Sequence, residues 1–214
     1  YANGLIDYKQ YLEVMKDQAD FTSALKDGDM LKADAAWNAS IDKVVTAAGG
    51  INIYNFRVFG NYPDFNTEFL NRDDIKEKLH VPAFLKYADC GSEAYTKLAK
   101  DIPVSYSHLF PFILERIPVM LYNGQNDLIV NTPGAEAWIR NIDWPHKDEF
   151  LNADRSVWKN EDGEVAGYTR NTKTLIQTIV LDAGHMVPMD QPKNAHNMID
   201  NFYAFVKDHF KNHC

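Results

Sequence analysis

Apolar positions fall at helical spacing in the first half of the chain and in short unbroken runs in the second. Between residues 30 and 48, Trp37, Ile41, Val44 and Val45 recur at i, i+4, i+7 and i+8, which predicts an amphipathic helix with one apolar face. Gly49-Gly50 ends it, because glycine tolerates the left-handed backbone of a C-terminal cap. Asn71 is placed to cap a short helix running through Leu79, with Asp73 and Asp74 in its first turn, where acidic groups favour the helix dipole. Ile75 and Leu79 would pack that helix down, and Pro82 prevents its continuation.

From Ile117 onward the pattern changes. Ile117-Pro118-Val119-Met120-Leu121-Tyr122 is an apolar run with its proline at the start, where a strand tolerates one. Thr178-Ile179-Val180-Leu181 is a second. Both runs are cut by glycine, at Gly124 and Gly184, and read as central strands of a parallel sheet. A helix follows the first, with Pro133 near its opening turn and Trp138 and Ile139 along it. Residues 156–159 and 165–168, joined through Glu161-Asp162-Gly163, read as a hairpin. A closing helix over residues 194–210 carries Met198, Phe202, Phe205 and Val206 on one face. The expected class is therefore α/β, with a mostly helical region over residues 1–112 and a mixed α/β region over 113–214. No internal repeat or low-complexity tract interrupts it.

Composition narrows the function classes. At 214 residues, 45% of them hydrophobic and 13% aromatic, the chain can bury a real core. No run approaches the roughly 18 apolar residues a membrane span needs, so no membrane role is expected. Thirty acidic residues against 22 basic give a net charge of −8, which opposes binding to a phosphate backbone and argues against a nucleic-acid partner. Tyr1 begins no basic, apolar leader, and the start reads as the interior of a longer precursor. The two cysteines, Cys90 and Cys214, are too few for a disulfide framework or a zinc site. Two free thiols and a bridge from Cys90 to another polypeptide both remain open, while Cys214 sits at a chain end that tends to fray. Asn38-Ala39-Ser40 is a glycosylation sequon, usable if the chain takes a secretory route.

The candidate chemistry lies just past the two strands. Residues at the carboxyl ends of parallel strands sit where α/β folds place their active groups. Asp127, in Gly124-Gln125-Asn126-Asp127, and His185, in Gly184-His185-Met186-Val187-Pro188, follow one another as the acid and base of a Ser-Asp-His relay do in hydrolases of this class. The third member is missing. A G-x-S-x-G nucleophile elbow should precede the acid, and the nearest imitation, Cys90-Gly91-Ser92-Glu93-Ala94, lacks the second glycine and a feeding strand. Ser92 reads as a loop or helix-cap residue, so the serine must come from elsewhere.

Taken together, several segments resemble the serine carboxypeptidases, a branch of the α/β-hydrolases that includes cathepsin A and the vitellogenic-like carboxypeptidases. They are Phe69-Leu70-Asn71-Arg72-Asp73-Asp74-Ile75 with Leu79-His80-Val81, then Leu121-Tyr122-Asn123-Gly124-Gln125-Asn126-Asp127, Val165-Ala166-Gly167-Tyr168, and Gly184-His185-Met186-Val187-Pro188-Met189-Asp190-Gln191-Pro192. Gln125 and the Tyr54-Asn55-Phe56 stretch lean toward the vitellogenic-like branch. The resemblance covers the whole chain but only the family's carboxyl-terminal half: a helical cap insertion, then the last strands of the hydrolase sheet.

What the resemblance implies is specific. Asp127 would be the triad acid and His185 the general base. Ile129 and Val130 would line the pocket for the residue before the scissile bond, and Met186 the pocket for the released residue. Cys90 falls near a cysteine that in cathepsin A bridges to the amino-terminal half. The implied activity is removal of single residues from peptide carboxyl termini, in a lysosomal, vacuolar or secreted setting, with no metal or organic cofactor. The implied partner is a serine-bearing heavy chain or amino-terminal half of the same precursor, this chain acting as the light chain. Homodimerisation of the assembled enzyme stays open. Two rival readings share the residues: an acyltransferase that passes the acyl group to an alcohol, and a catalytically silent homologue that binds or protects.

Overall fold

The structure, a computed structural model, describes residues 1–62, 64 and 66–213. Cys214, expected to fray, lies outside the described residues. The chain forms two compact units, one made of Tyr1–Gly50 and Gly60–Val104, the other of Ile51–Phe59 and the chain from Ser105 onward.

The first unit is helical. α1 (Tyr8–Asp27) opens on a capping box in which Asp7 accepts from the Gln10 N–H at 2.8 Å and Gln10 returns a bond to the Asp7 N–H at 2.9 Å. Gly28, at φ 73°, closes α1 in the left-handed region, and Asp29 caps α2 (Met30–Ala47). The expected stripe of Trp37, Ile41, Val44 and Val45 is half-buried, whereas Ala33, Asp34 and Ser40 are buried. α3 (Thr67–Leu70), α4 (Asp73–Lys78) and α5 (Ser92–Leu98) complete the unit.

Asn71 does not cap α4. Arg72 holds that position, without a side-chain cap bond. The Asn71 amide instead pairs with the Tyr87 backbone, donating to its carbonyl at 2.9 Å and accepting from its N–H at 2.9 Å. A side-chain amide offers both poles of a peptide group, and two bonds across a loop displace a single cap bond.

The second unit carries the sheet. α6 (Phe110–Leu114) leads into β1 (Val119–Gly124), followed by α7 (Thr132–Asn141), α8 (Lys147–Asn152), β2 (Ser156–Lys159), β3 (Val165–Asn171), β4 (Leu175–Val180), α9 (Val187–Asp190) and α10 (Pro192–His213). The strand order is β1-β4-β3-β2. β1 and β4 are parallel, in register from Val119↔Leu175 to Gly124↔Val180, whereas β3 runs antiparallel to both β4 and β2. The sheet is thus mixed: β2, β3 and β4 succeed one another through short connections, which antiparallel pairing permits, while β1 reaches β4 only by a long crossover. Among the described residues β1 is an edge strand and β4 a central one.

Leu175 and Val180, five positions apart on β4, point to opposite faces of the sheet. Val180 joins a buried cluster with Trp158, Ala183, Val187, Ala195 and Met198, so α9 and α10 cover that face. Leu175 joins Phe110, Ile139, Trp144 and Phe150, so α6, α7 and α8 cover the other. Helices on both faces of a partly parallel sheet make the fold α/β. No helix among the described residues is long and apolar enough to cross a membrane.

Candidate active site

β1 and β4 end side by side because of Gly124. A Cβ there would collide with the Gly184 and Ala183 carbonyls, so only glycine lets the two following loops lie in contact. The Gln125 N–H then bonds to the Val180 carbonyl at 2.9 Å and the Asn126 N–H to the Ala183 carbonyl at 2.8 Å. These clips bring Asp127 beside the loop after β4.

The Asp127 carboxylate is buried and fully engaged. Its Oδ1 accepts the backbone N–H groups of Ile129 at 3.0 Å and Val130 at 3.1 Å, and its Oδ2 lies 2.9 Å from His185 Nδ1. Three N–H donors supply what burial removes from water. His185 reaches this carboxylate from a turn with two backbone anchors. Its own N–H donates to the Tyr54 carbonyl at 2.6 Å, and the Gly184 N–H donates to Asp190 Oδ2 at 2.7 Å. A Cβ on Gly184 would run into the Tyr54 carbonyl and Asn55.

Ile51–Phe59 is the element that joins these two loops. The Ile53 carbonyl accepts from Leu128 and Ile129 N–H, the Phe56 N–H donates to the Asn126 carbonyl, and the Tyr54 carbonyl holds His185. The Tyr54 ring also tilts against the imidazole, with centroids 5.4 Å apart. None of these roles was read from the sequence, where Tyr54-Asn55-Phe56 registered only as family wording. The one available signal was Gly184, since a glycine directly before a candidate histidine points to a close backbone approach.

Chemically, the pair is an oriented imidazole. With Nδ1–H donating to Asp127, Nε2 of the neutral ring is left as a proton acceptor. No hydrogen bond to Nε2 occurs among the described residues, and the His185 side chain is open to solvent. An acceptor so placed can take a proton from a hydroxyl and return it.

The structure also places the other expected residues. Ile129 and Val130 reach Asp127 through their N–H groups; Ile129 is half-buried, while the side chain of Val130 is exposed, as is that of Met186. Asn38 lies on α2, where its Nδ2 meets the carbonyl and Oδ2 of Asp34 and the Tyr95 hydroxyl. Cys90 is a free, exposed thiol at φ 48°. Ser92 opens α5 behind Gly91, with no strand before it, so no nucleophile elbow forms there. Among the described residues no group of three His, Cys, Asp or Glu side chains could hold a metal ion. A cleft of about 510 Å³ lined by Arg116, His146, Lys173 and His209 lies at the amino-terminal ends of β1 and β4, opposite the Asp127–His185 pair.

Comparison with known proteins bears on this geometry. A family model described as serine carboxypeptidase matches residues 1–204. The Dictyostelium discoideum protein named "Probable serine carboxypeptidase CPVL" is 35% identical over 215 residues, covering 94% of this chain and 43% of that protein. Serine carboxypeptidase-like 50 of Arabidopsis thaliana is 30% identical over 203 residues, covering 94% of this chain and 46% of its own length. This chain therefore spans less than half of each of these relatives. The crystal structure of KEX1(Δ)p, a prohormone-processing carboxypeptidase from Saccharomyces cerevisiae, superposes with a TM-score of 0.75 over 95% of this chain and 49% of that one, at 22% identity. At that identity the likeness establishes the fold, an α/β-hydrolase sheet with helical additions.

Proposed function

This chain belongs to the serine carboxypeptidase family, and on that premise we propose that it carries the acid and the base of a Ser-His-Asp relay whose serine lies on another segment or chain of the same protein. The observation that carries the reading is the 2.9 Å contact between Asp127 Oδ2 and His185 Nδ1 at the carboxyl ends of adjacent parallel strands. The absence of any G-x-S-x-G in the sequence supports a serine supplied from outside it.

In the assembled protein, Nε2 of His185 takes the serine hydroxyl proton as the oxygen attacks the last peptide carbonyl. The same nitrogen then gives that proton to the departing amino group. Asp127 holds the ring in one tautomer and stabilises the imidazolium while it exists. Water, deprotonated by His185, then attacks the acyl carbonyl, and the same nitrogen returns that proton to the serine oxygen while the acyl group departs as the carboxylic acid. Ile129 and Val130 border the residue before the scissile bond and Met186 the released one, a reading the exposure of Val130 and Met186 supports. The setting is lysosomal, vacuolar or secreted. Glycosylation at Asn38 would there compete with the contacts its Nδ2 makes to Asp34 and Tyr95.

The test uses this chain together with its serine-bearing part. A serine-directed phosphonate should tag one serine outside this chain, and a blocked dipeptide should release its carboxyl-terminal amino acid. If no serine is tagged, the relay does not exist. If added alcohol is esterified in preference to hydrolysis, the protein is an acyltransferase.

A further inference from the structure

Among the described residues, no hydrogen bond besides the Nδ1 bond to Asp127 fixes the His185 ring, so its aim depends on where the backbone of residues 184 and 185 is held. Two bonds among the described residues hold it. One is the His185 N–H to the Tyr54 carbonyl; the other is the Gly184 N–H to Asp190 Oδ2. That same Asp190 oxygen accepts Asn55 Nδ2 at 3.1 Å. The Asn55 amide is itself oriented, because its Oδ1 accepts the Arg57 N–H at 3.2 Å, which turns Nδ2 toward Asp190. Asn55 is buried and Asp190 half-buried. One carboxylate oxygen therefore ties the turn bearing His185 to the segment bearing Tyr54.

We propose that Asn55 and Asp190 form a positioning pair that sets the aim of the His185 imidazole, acting on turnover through His185 without touching substrate. The proposal rests on the reading of His185 as general base. Asp190 closes the 184–190 turn on itself through Gly184, and Asn55 stops that turn from sliding along Ile51–Phe59. Both bonds end on the same atom, so loss of either partner loosens the same point.

A displaced base costs rate more than binding. Misplacement by about 1 Å can lower turnover on the order of 10²-fold. In the assembled protein, Asn55→Ala and Asp190→Ala should each lower kcat for a blocked dipeptide roughly ten- to a hundredfold, with KM within about twofold of wild type. Asn55→Asp gives a signature that general destabilisation does not. It sets two carboxyl groups in hydrogen-bond contact, and such a pair shares one proton at low pH but repels once both are ionised. The ratio of variant to wild-type kcat should be near one at acid pH and fall as pH rises. Among the described residues, His185, Asp127 and the Arg57–Asp182 ion pair also stand at this turn, in both proteins.

Wild-type kcat in both alanine variants, or an Asn55→Asp ratio that stays flat with pH, overturns the positioning role. His185→Ala is measured in parallel. Normal turnover there brings down the assignment of the base itself, and with it this proposal; an inactive His185→Ala beside unimpaired Asn55 and Asp190 variants removes the proposal alone.

Discussion

Asp127 and His185 share a hydrogen bond but not an environment: the carboxylate side chain is 3% exposed and the imidazole 40%. The acid is sealed by backbone donors on one side and by the ring on the other. The ring presents its far edge outward, open to solvent.

His185→Ala removes that edge. Turnover by the assembled protein should fall by roughly 10³-fold or more, because in the proposed relay the proton of the serine then has no acceptor. The thermal midpoint should move little, since Asp127 keeps its two backbone donors and the Tyr54 anchor is a backbone bond. Dipeptide hydrolysis and a thermal melt check both, and normal hydrolysis would remove His185 from the chemistry.

Asp127→Asn keeps the shape and changes the polarity. The amide turns an N–H either toward the Ile129 and Val130 N–H groups or toward Nδ1, where it imposes the other tautomer. A loss on the order of 10⁴-fold in kcat is expected. An unimpaired rate would show that His185 needs no acidic partner.

Gly184→Ala should damage both the fold and turnover. The added methyl meets the Tyr54 carbonyl and the Asn55 backbone, neither of which can swing away as a side-chain tip would. Overpacking of this kind costs about 1–3 kcal/mol and displaces the histidine that follows. Urea unfolding should show a lower midpoint, together with a fall in turnover; a tolerated alanine would mean the segment 51–59 sits less tightly than described.

Asp7→Ala tests the opposite case, a stabilising contact within the helical unit that does not carry the Asp127–His185 pair. It breaks the capping box of α1 and should cost about 1 kcal/mol, read as a lower urea midpoint with kcat unchanged. An unaltered midpoint would mean the box contributes nothing.

What could be read from the chain was what side chains spell out. Asp127 and His185 were legible because each follows a glycine-cut apolar run in recognisable wording. The hairpin of β2 and β3 and the face of α10 were legible from period and turn residues. The binding of Ile51–Phe59 to the site was not, because most of it is done by the carbonyls of Ile53 and Tyr54, and a carbonyl leaves no mark on residue identity. Asn71 misled for a related reason: local spacing suggested a cap, and a partner 16 residues away, Tyr87, took the amide instead.

Ile51–Phe59 is pinched at its neck. Its ends form an antiparallel bridge, and the Gly60 N–H bonds to the Gly50 carbonyl at 3.0 Å, so the chain departs and returns at nearly one point. A protein engineer trimming this polypeptide to its sheet by keeping only residues from 105 onward would discard the acceptors for Leu128 and His185 while every recognisable motif of the sheet survived. A minimal version has to carry those few residues back as a graft, and the bond between Gly60 and Gly50 marks where to cut it.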